Sequence, residues 1–197
     1  GTTFGVSAFQ INFGARDIKT VGDEPDVLVA MNPAALKVNL DNLRKGGMIL
    51  ADTGSFTKRN LAKAGFEDDP LTDGSLEGYQ LITLDISKMT QESVKDFGLG
   101  NKEALRCKNM WTLGLMLWMF DREREPIVDW LKAKFAKLPD VAGANVAALN
   151  AGHVYGETAE LAPKFTRYHI EPVESEKGIY RTVTGSEAMS WGLVAGA

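Results

Sequence analysis

The residues of this chain that could do chemistry stand directly after two predicted strands. Asn32 follows an apolar run over residues 26–31, and Thr53 and Ser55 follow a second run over residues 48–51. Such runs are typical of parallel strands covered on both faces. In open parallel sheets, ligands bind at the carboxyl ends of the strands, where helix N-termini offer free N–H groups to phosphate or carboxylate. We therefore predict that these three residues contact a ligand at one edge of the sheet.

The segment 49–55 (ILADTGS) also matches the Asp-Thr-Gly-Ser pattern of aspartic proteases, in which two aspartates share one proton. A homodimer could supply the second aspartate, but that fold is all-β, and here the segment lies between two predicted helices. A turn after a parallel strand is the favoured interpretation. Asn32 precedes Pro33, as a helix N-cap does, so its side chain can cap a helix, bind a ligand, or do both.

A second group of polar residues lies within a predicted long helix. Cys107 stands between Arg106 and Lys108, and cations lower the pKa of a thiol, but packing is the favoured role for a lone helical cysteine. Lys108 and Asn109 could face a ligand or cap a neighbouring loop, and the sequence does not choose between these roles. We predict no catalytic residue and no metal ligand in the chain.

The composition bounds the class of protein. The chain has 197 residues, of which 44% are hydrophobic, and 22 basic against 26 acidic residues give a net charge of −4. This charge argues against nucleic-acid binding. One cysteine excludes an internal disulfide and fits a reducing, cytoplasmic compartment, and two isolated histidines argue against a metal site. No apolar run approaches the roughly 20 residues of a membrane span, and no signal peptide is present.

The order of the predicted elements indicates an α/β fold with a mostly parallel sheet, crossover helices and an N-terminal hairpin. The predicted hairpin pairs residues 5–13 with 18–21, and the remaining strands are 26–31, 48–51 and 79–85. Predicted helices cover 33–43, 57–64, 90–97, 101–120, 125–137 and 140–155, so the C-terminal half is helical. In helix 101–120 we expect Leu105, Met110, Leu113, Leu117 and Phe120 to face inward, and we place Trp111, Trp118 and Trp130 in the core. Neither a Gly-x-Gly-x-x-Gly nor a P-loop pattern occurs, which argues against a Rossmann dehydrogenase.

Three stretches together carry a resemblance to a known family: residues 22–37 (GDEPDVLVAMNPAALK), 69–75 (DPLTDGS) and 102–110 (KEALRCKNM). Nearly the whole chain resembles the alpha subunit of 2-oxoacid:ferredoxin oxidoreductases of the 2-oxoglutarate type. In those subunits a gamma domain precedes a thiamine-pyrophosphate pyrimidine-type domain. Residues 178–188 (GIYRTVTGSEA) look like the entry into that second domain.

The resemblance implies a division into a gamma domain over 1–160, a linker over 161–178, and the truncated start of the pyrimidine-type domain over 179–197. The strand–loop rich in glycine that opens the gamma domain is missing, and the chain does not begin with Met, so we expect a fragment that is inactive alone. A strand over 180–184 and a helix over 188–197 fit this start of a second domain.

The resemblance also implies an activity for the complete enzyme, which oxidatively decarboxylates a 2-oxoacid to an acyl-CoA and passes the electrons to ferredoxin. That enzyme uses thiamine pyrophosphate, Mg, an iron–sulfur cluster and coenzyme A. This fragment is expected to bind none of the cofactors itself. Its expected partners are a beta subunit that carries thiamine and cluster, and ferredoxin through the complex, in a dimer of heterodimers. No nucleic acid or membrane is expected as a partner.

For the site, we expect coenzyme A to contact Asn32, Thr53 and Ser55, with Lys108 and Asn109 as further contacts. The alternative is a non-catalytic assembly module without a ligand. In that reading, the alanine-rich helix 140–155 docks a partner or a second copy through its small residues.

Overall fold

The computed structural model describes residues 6–158, 167–171, 173, 176, 178–179, 181 and 183–196. The sheet has three parallel strands in the order β1 (Val27–Ala30), β2 (Met48–Asp52) and β3 (Gln80–Leu84). Every residue of β2 is buried, as expected for a central strand. The predicted α/β class with parallel strands and crossover helices is confirmed.

Helices cover both faces of the sheet because the side chains of a strand alternate between the faces. Ile49 and Ala51 point toward α1 (Pro33–Asn39) and α2 (Lys58–Ala64), and join one apolar cluster with Leu36 and Leu61. Met48 and Leu50 point the other way, into the larger cluster formed with the helices of the second half. The predicted caps are confirmed, since Asn32 accepts the N–H of Ala35 and Thr57 that of Asn60.

The second half of the described chain is helical. Its helices are α3 (Ile86–Ser93), α4 (Asn101–Ala104), α5 (Lys108–Met119), α6 (Glu125–Lys134), α7 (Pro139–Thr158) and α8 (Gly185–Ala195). Asp85 accepts the N–H of Lys88 and so begins α3 four residues before the predicted start at residue 90. Short 3₁₀ turns lie at Thr53–Ser55 and Leu105–Cys107, and the second of these divides the predicted helix 101–120.

Helices α5 and α7 touch backbone to backbone. A Cβ added at Gly114 would overlap the carbonyl oxygen of Leu149, and one added at Gly152 would overlap the carbonyl oxygen of Trp111. Ala144 and Ala148 are fully buried, so much of the small-residue surface of α7 packs inside this chain. The buried small residues of α7 are therefore not free to dock a partner, so the docking that the assembly alternative predicts would have to use the outer residues of this helix.

The inward face of α5 differs from the predicted one. Its buried residues are Trp111, Thr112, Gly114, Leu115 and Met119, whereas Leu105 precedes α5 and is exposed. Because the helix is apolar on nearly every side, spacing alone could not orient it, and the close approach at Gly114 sets its rotation. Trp111 belongs to the core as predicted, but Trp130 on α6 is half exposed.

The predicted N-terminal hairpin is not a pair of strands in the structure. Residues 6–22 contain no strand, although the chain reverses, and the side-chain amides of Gln10 and Asn12 donate to carbonyls of residues 20–22. The predicted strand 180–184 and linker 161–178 lie partly outside the described residues. Among the helices of the described residues, none is long and apolar enough to cross a membrane.

Candidate functional site

The carboxyl ends of β1 and β2 lie side by side because the strands are parallel and paired in register, with Ala30 opposite Ala51. Met31 and Asn32 follow β1, and Asp52 is the last residue of β2. The N-terminus of α5 approaches the same edge and brings Lys108 against both strand ends. The sequence separation between Asp52 and Lys108 is 56 residues, so the tertiary fold alone joins them.

Asp52 is the centre of this edge and is fully buried. Its Oδ2 accepts hydrogen bonds from the Ser55 hydroxyl at 2.8 Å, the Ser87 hydroxyl at 2.7 Å and the Lys108 ammonium at 2.7 Å. Its Oδ1 accepts the backbone N–H of Ser87 at 3.0 Å. The carboxylate therefore links the end of β2 to the start of α3 and to α5.

Lys108 spans the ends of two strands. Besides Asp52, its Nζ donates to the Ser55 hydroxyl at 2.9 Å and lies 3.4 Å from the Met31 carbonyl oxygen. Its side chain is only 17% exposed and that of Asp52 is not exposed at all. The positive charge is therefore already neutralised within the protein, and the edge as a whole carries no net charge from this pair.

The contacts of Asp52 decide its protonation state. Burial by itself would raise the pKa of this carboxyl, but the hydrogen bonds from Lys108, Ser87 and Ser55 outweigh burial and hold the pKa below its ordinary value. The carboxylate is thus ionised at neutral pH, as its ion pair requires. A depressed pKa in the folded state stabilises the protein above the unfolded-state pKa of about 4.

We expect the Asp52 pair to make the protein sensitive to acid. As the pH falls through the native pKa of Asp52, protonation removes the stabilisation that the ion pair supplies above about pH 4. Chemical denaturation at pH 7 and at pH 3 measures the free energy of unfolding. Between these two pH values it should fall further in the wild type than in Asp52→Asn, because the asparagine side chain takes up no proton. Equal losses in both proteins would contradict this assignment.

The turn after β2 is tightly built around glycine. A Cβ added at Gly54 would overlap Oδ1 of Asp85 and lie 2.8 Å from the Cβ of Ser87. The Asn60 side chain donates to the Ser55 carbonyl at 2.8 Å and fixes the turn from the other side. The turn leaves Thr53 exposed at the rim while Ser55 points inward to Asp52. The protease interpretation is excluded, since the strands are parallel and the aspartate is held in an ion pair.

The structure brings Ser55 and Lys108 into direct contact and places Asn32 next to them, one residue after the Met31 carbonyl. Oδ1 of Asn32 is used as a helix cap at 2.9 Å. Thr53 lies at the exposed rim, and Asn109 is exposed, with no hydrogen bond to this edge among the described residues. Ligand contact by these five predicted residues stays a prediction.

Sequence reasoning missed two members of the edge. The sequence patterns singled out Asp52 only as part of the Asp-Thr-Gly-Ser segment, and they did not indicate Ser87, which donates two hydrogen bonds to Asp52. A signal existed for both, because Asp52 ends β2 and Ser87 closely follows the end of β3 at Leu84, and the ends of parallel strands share one edge. Of the predicted residues at this rim, Thr53 offers an exposed hydroxyl and Asn32 a half-buried side-chain amide, both neutral, while the charged Asp85 lies against Gly54 in the same turn.

The remaining residues considered for chemistry serve packing or pairing. Cys107 is buried, and burial raises the pKa of its thiol, so the packing interpretation is favoured over a reactive thiolate. His153 lies on α7, where burial lowers the pKa of its imidazole, and His169 contacts Asp121 at 2.6 Å. Across the described residues, no group of three or more His, Cys, Asp or Glu side chains could hold a metal ion.

Comparison with known proteins identifies clear relatives. The family model for pyruvate ferredoxin/flavodoxin oxidoreductase matches residues 3–155. The chain is 46% identical over 194 residues to a Mycobacterium tuberculosis (strain ATCC 25618 / H37Rv) protein named 2-oxoglutarate oxidoreductase subunit KorA. That match covers 98% of this chain but 29% of the relative, so the chain spans less than a third of the relative's length.

A solved structure shares the fold of this chain. A 2-oxoglutarate:ferredoxin oxidoreductase from Magnetococcus marinus, with 2-oxoglutarate, coenzyme A and succinyl-CoA bound, superposes with a TM-score of 0.55 at 22% identity. The superposition covers 79% of this chain and 23% of that one. A keto/oxoacid ferredoxin oxidoreductase gamma subunit from Geobacter sulfurreducens PCA gives a TM-score of 0.42 at 20% identity, over 68% of this chain and 65% of that one.

Proposed function

The chain belongs to the pyruvate ferredoxin/flavodoxin oxidoreductase family, and from this membership we propose that it is the gamma domain of an alpha subunit in a 2-oxoacid:ferredoxin oxidoreductase. The observation that carries the proposal is 46% identity to a 2-oxoglutarate oxidoreductase subunit over nearly the whole chain. The proposed reaction is oxidative decarboxylation of 2-oxoglutarate to an acyl-CoA, with the electrons passed to ferredoxin.

In this proposal the cofactors lie outside the described residues. One cysteine cannot supply the cysteine set that an iron–sulfur cluster needs. The buried carboxylate of Asp52 is already bound by an ammonium and two hydroxyls, so it is not available to bind Mg²⁺. The thiamine pyrophosphate, Mg and cluster of the complete enzyme therefore belong to its other domains and to a beta subunit. A cytoplasmic dimer of heterodimers that reduces ferredoxin is part of the same proposal.

The proposed division of the chain has support in α8. This helix carries apolar residues around its whole circumference, and Met189, Trp191, Leu193 and Val194 are all more than half exposed. A helix that is apolar all round is buried in its native setting. We propose that residues 179–197 begin the pyrimidine-type domain, that the rest of that domain covers α8, and that 1–160 and 161–178 are gamma domain and linker.

The proposed role of the strand-end edge is contact with coenzyme A. Because Asp52 neutralises Lys108, that ammonium is not free to bind phosphate, whereas the Thr53 hydroxyl and the side-chain amides of Asn32 and Asn109 are neutral hydrogen-bonding groups. We therefore propose that Asn32, Thr53 and Asn109 bind the amide-bearing pantetheine arm, while Ser55 and Lys108 hold the edge in shape. The pantetheine amides offer matching donors and acceptors.

We expect Thr53→Val and Asn32→Asp each to raise the KM for coenzyme A by about threefold to tenfold in the complete oxidoreductase, the cost of one neutral hydrogen bond. Asn32→Asp keeps the Oδ1 that caps α1 and replaces only the amide group, so α1 should remain intact. Steady-state kinetics with coenzyme A and with dephospho-coenzyme A should give the same ratios.

Thr83→Val is the matched control, since Thr83 is an exposed threonine inside β3. The assembly alternative predicts that both test variants keep the wild-type KM. It also predicts that the complex forms normally in size-exclusion chromatography with the beta subunit while this domain takes no part in binding coenzyme A. An unchanged KM in both variants would therefore reject the ligand role and favour assembly.

A further inference from the structure

The C-terminal end of α5 contains the one residue other than glycine with a positive φ among the described residues, Asp121 at φ 52°. The N–H of Arg122 donates to the Leu117 carbonyl at 2.8 Å, and the N–H of Asp121 to the Trp118 carbonyl at 3.2 Å. This is the Schellman arrangement, in which glycine usually occupies the left-handed position because it has no Cβ. An aspartate at this position requires another reason.

The reason lies in residues 167–169, all of which contact the end of α5. Nη2 of Arg167 donates to Oδ1 of Asp121 at 2.5 Å, and Nδ1 of His169 lies 2.6 Å from Oδ2. Between them, the backbone N–H of Tyr168 donates to the Met119 carbonyl at 2.7 Å. Hydrogen bonds from His169 and Arg167 hold the pKa of Asp121 below its usual value, so the carboxylate is ionised.

Aromatic packing completes the contact. The ring of Tyr168 stacks on Phe120 at 5.4 Å, and Phe13 meets the same Phe120 edge-on at 5.1 Å. The ring of Phe120 thus lies between the N-terminal segment and residues 167–169. The carboxylate of Asp121 lies beside this stack and bonds to the residues on both sides of Tyr168.

We propose that Asp121 is a positioning residue that anchors residues 167–169 to the end of α5 and so fixes where the chain leaves this domain toward α8. We call Asp121, Arg167, Tyr168 and His169 the clasp. The clasp does not depend on the proposed enzymatic function, because each of its contacts lies within this chain.

Hydrogen exchange of the complete protein, resolved to single amides, tests the clasp. In Asp121→Asn and in Asp121→Gly, the Tyr168 amide should exchange about threefold to tenfold faster than in the wild type. The expected effect is modest because the side chains of Arg167 and His169 are 57% and 69% exposed. The Arg122 amide should keep its protection in both variants, because asparagine and glycine accept the left-handed conformation.

Glu123→Gln is the matched control, since it removes a neighbouring exposed carboxylate and should leave the Tyr168 amide unchanged. If Asp121 served only to end the helix, Asp121→Gly would exchange like the wild type at Tyr168, and that result would overturn the proposal. Faster exchange of the Arg122 amide to the same degree as Tyr168 would also overturn it, because the helix end itself would then have failed.

Discussion

Gly152→Ala is expected to lower the free energy of unfolding by about 3 kcal/mol, at the upper end for overpacking of a core. The added methyl group would overlap the Trp111 carbonyl oxygen, which belongs to the backbone of α5 and cannot rotate away. Helices α5 and α7 would have to separate along a contact that includes the buried Leu115 and Leu149. The gain in helix propensity from glycine to alanine, about 1 kcal/mol, offsets only part of this loss.

Thermal denaturation measures the effect directly, and a lowering of Tm by roughly 6–12 °C is expected for a chain of this size. Gly78→Ala is the matched control, because no heavy atom lies within 4 Å of a Cβ added there and its φ is not positive. A Gly152→Ala protein as stable as the control would mean that α5 and α7 are not in backbone contact.

The double variant Gly114→Ala/Gly152→Ala sharpens this test. The two glycines lie at one helix crossing, since a Cβ at Gly114 meets Leu149 and His153 while one at Gly152 meets Trp111 and Leu115. Once one methyl group has separated the helices, the second should cost less. The free energy of unfolding should therefore fall less in the double variant than the sum of the decreases in the two single variants. Additive losses would indicate two independent sites.

Breaking the buried pair of Asp52 and Lys108 is the second change with a large expected effect. Lys108→Met should lower the free energy of unfolding by about 3–5 kcal/mol, because it leaves a fully buried carboxylate without its cation. Asp52→Asn should cost a similar amount, because its neutral amide cannot balance the ammonium of Lys108. Both variants should also disturb the ends of β1 and β2, since Lys108 contacts the Met31 carbonyl and the Ser55 hydroxyl.

Combining the two substitutions separates the ion pair from general packing. Asp52→Asn/Lys108→Met removes both charges. Urea denaturation should therefore show a decrease in the free energy of unfolding well below the sum of the two single decreases. Ser87→Ala is a graded control, because it removes one hydroxyl from Asp52 and leaves the Ser87 N–H bond in place. A double variant that loses the full sum would show that the two side chains are not coupled.

The strand-end site was only partly predictable from the sequence. The apolar runs and the caps at Asn32 and Thr57 locate the strand ends and the first helices, and parallel strands place those ends at one edge. The sequence could not show that Lys108 pairs with Asp52, because 56 residues separate them and no local pattern around either residue indicates the contact. The sequence therefore leaves the role of Lys108 open between ligand contact and loop capping, whereas in the structure its ammonium is paired with Asp52.

The sequence by itself determined the parallel α/β class, the starts of α1 and α2, and the family, because periodicity, capping residues and long shared segments are local properties. Only the tertiary structure decided the rotation of α5, which is apolar on nearly all sides and is oriented by the close approach at Gly114 and Gly152. It likewise decided the partners of Asp52 and Asp121. Their hydrogen bonds come from residues distant in the chain, and the position of such partners depends on how the elements pack.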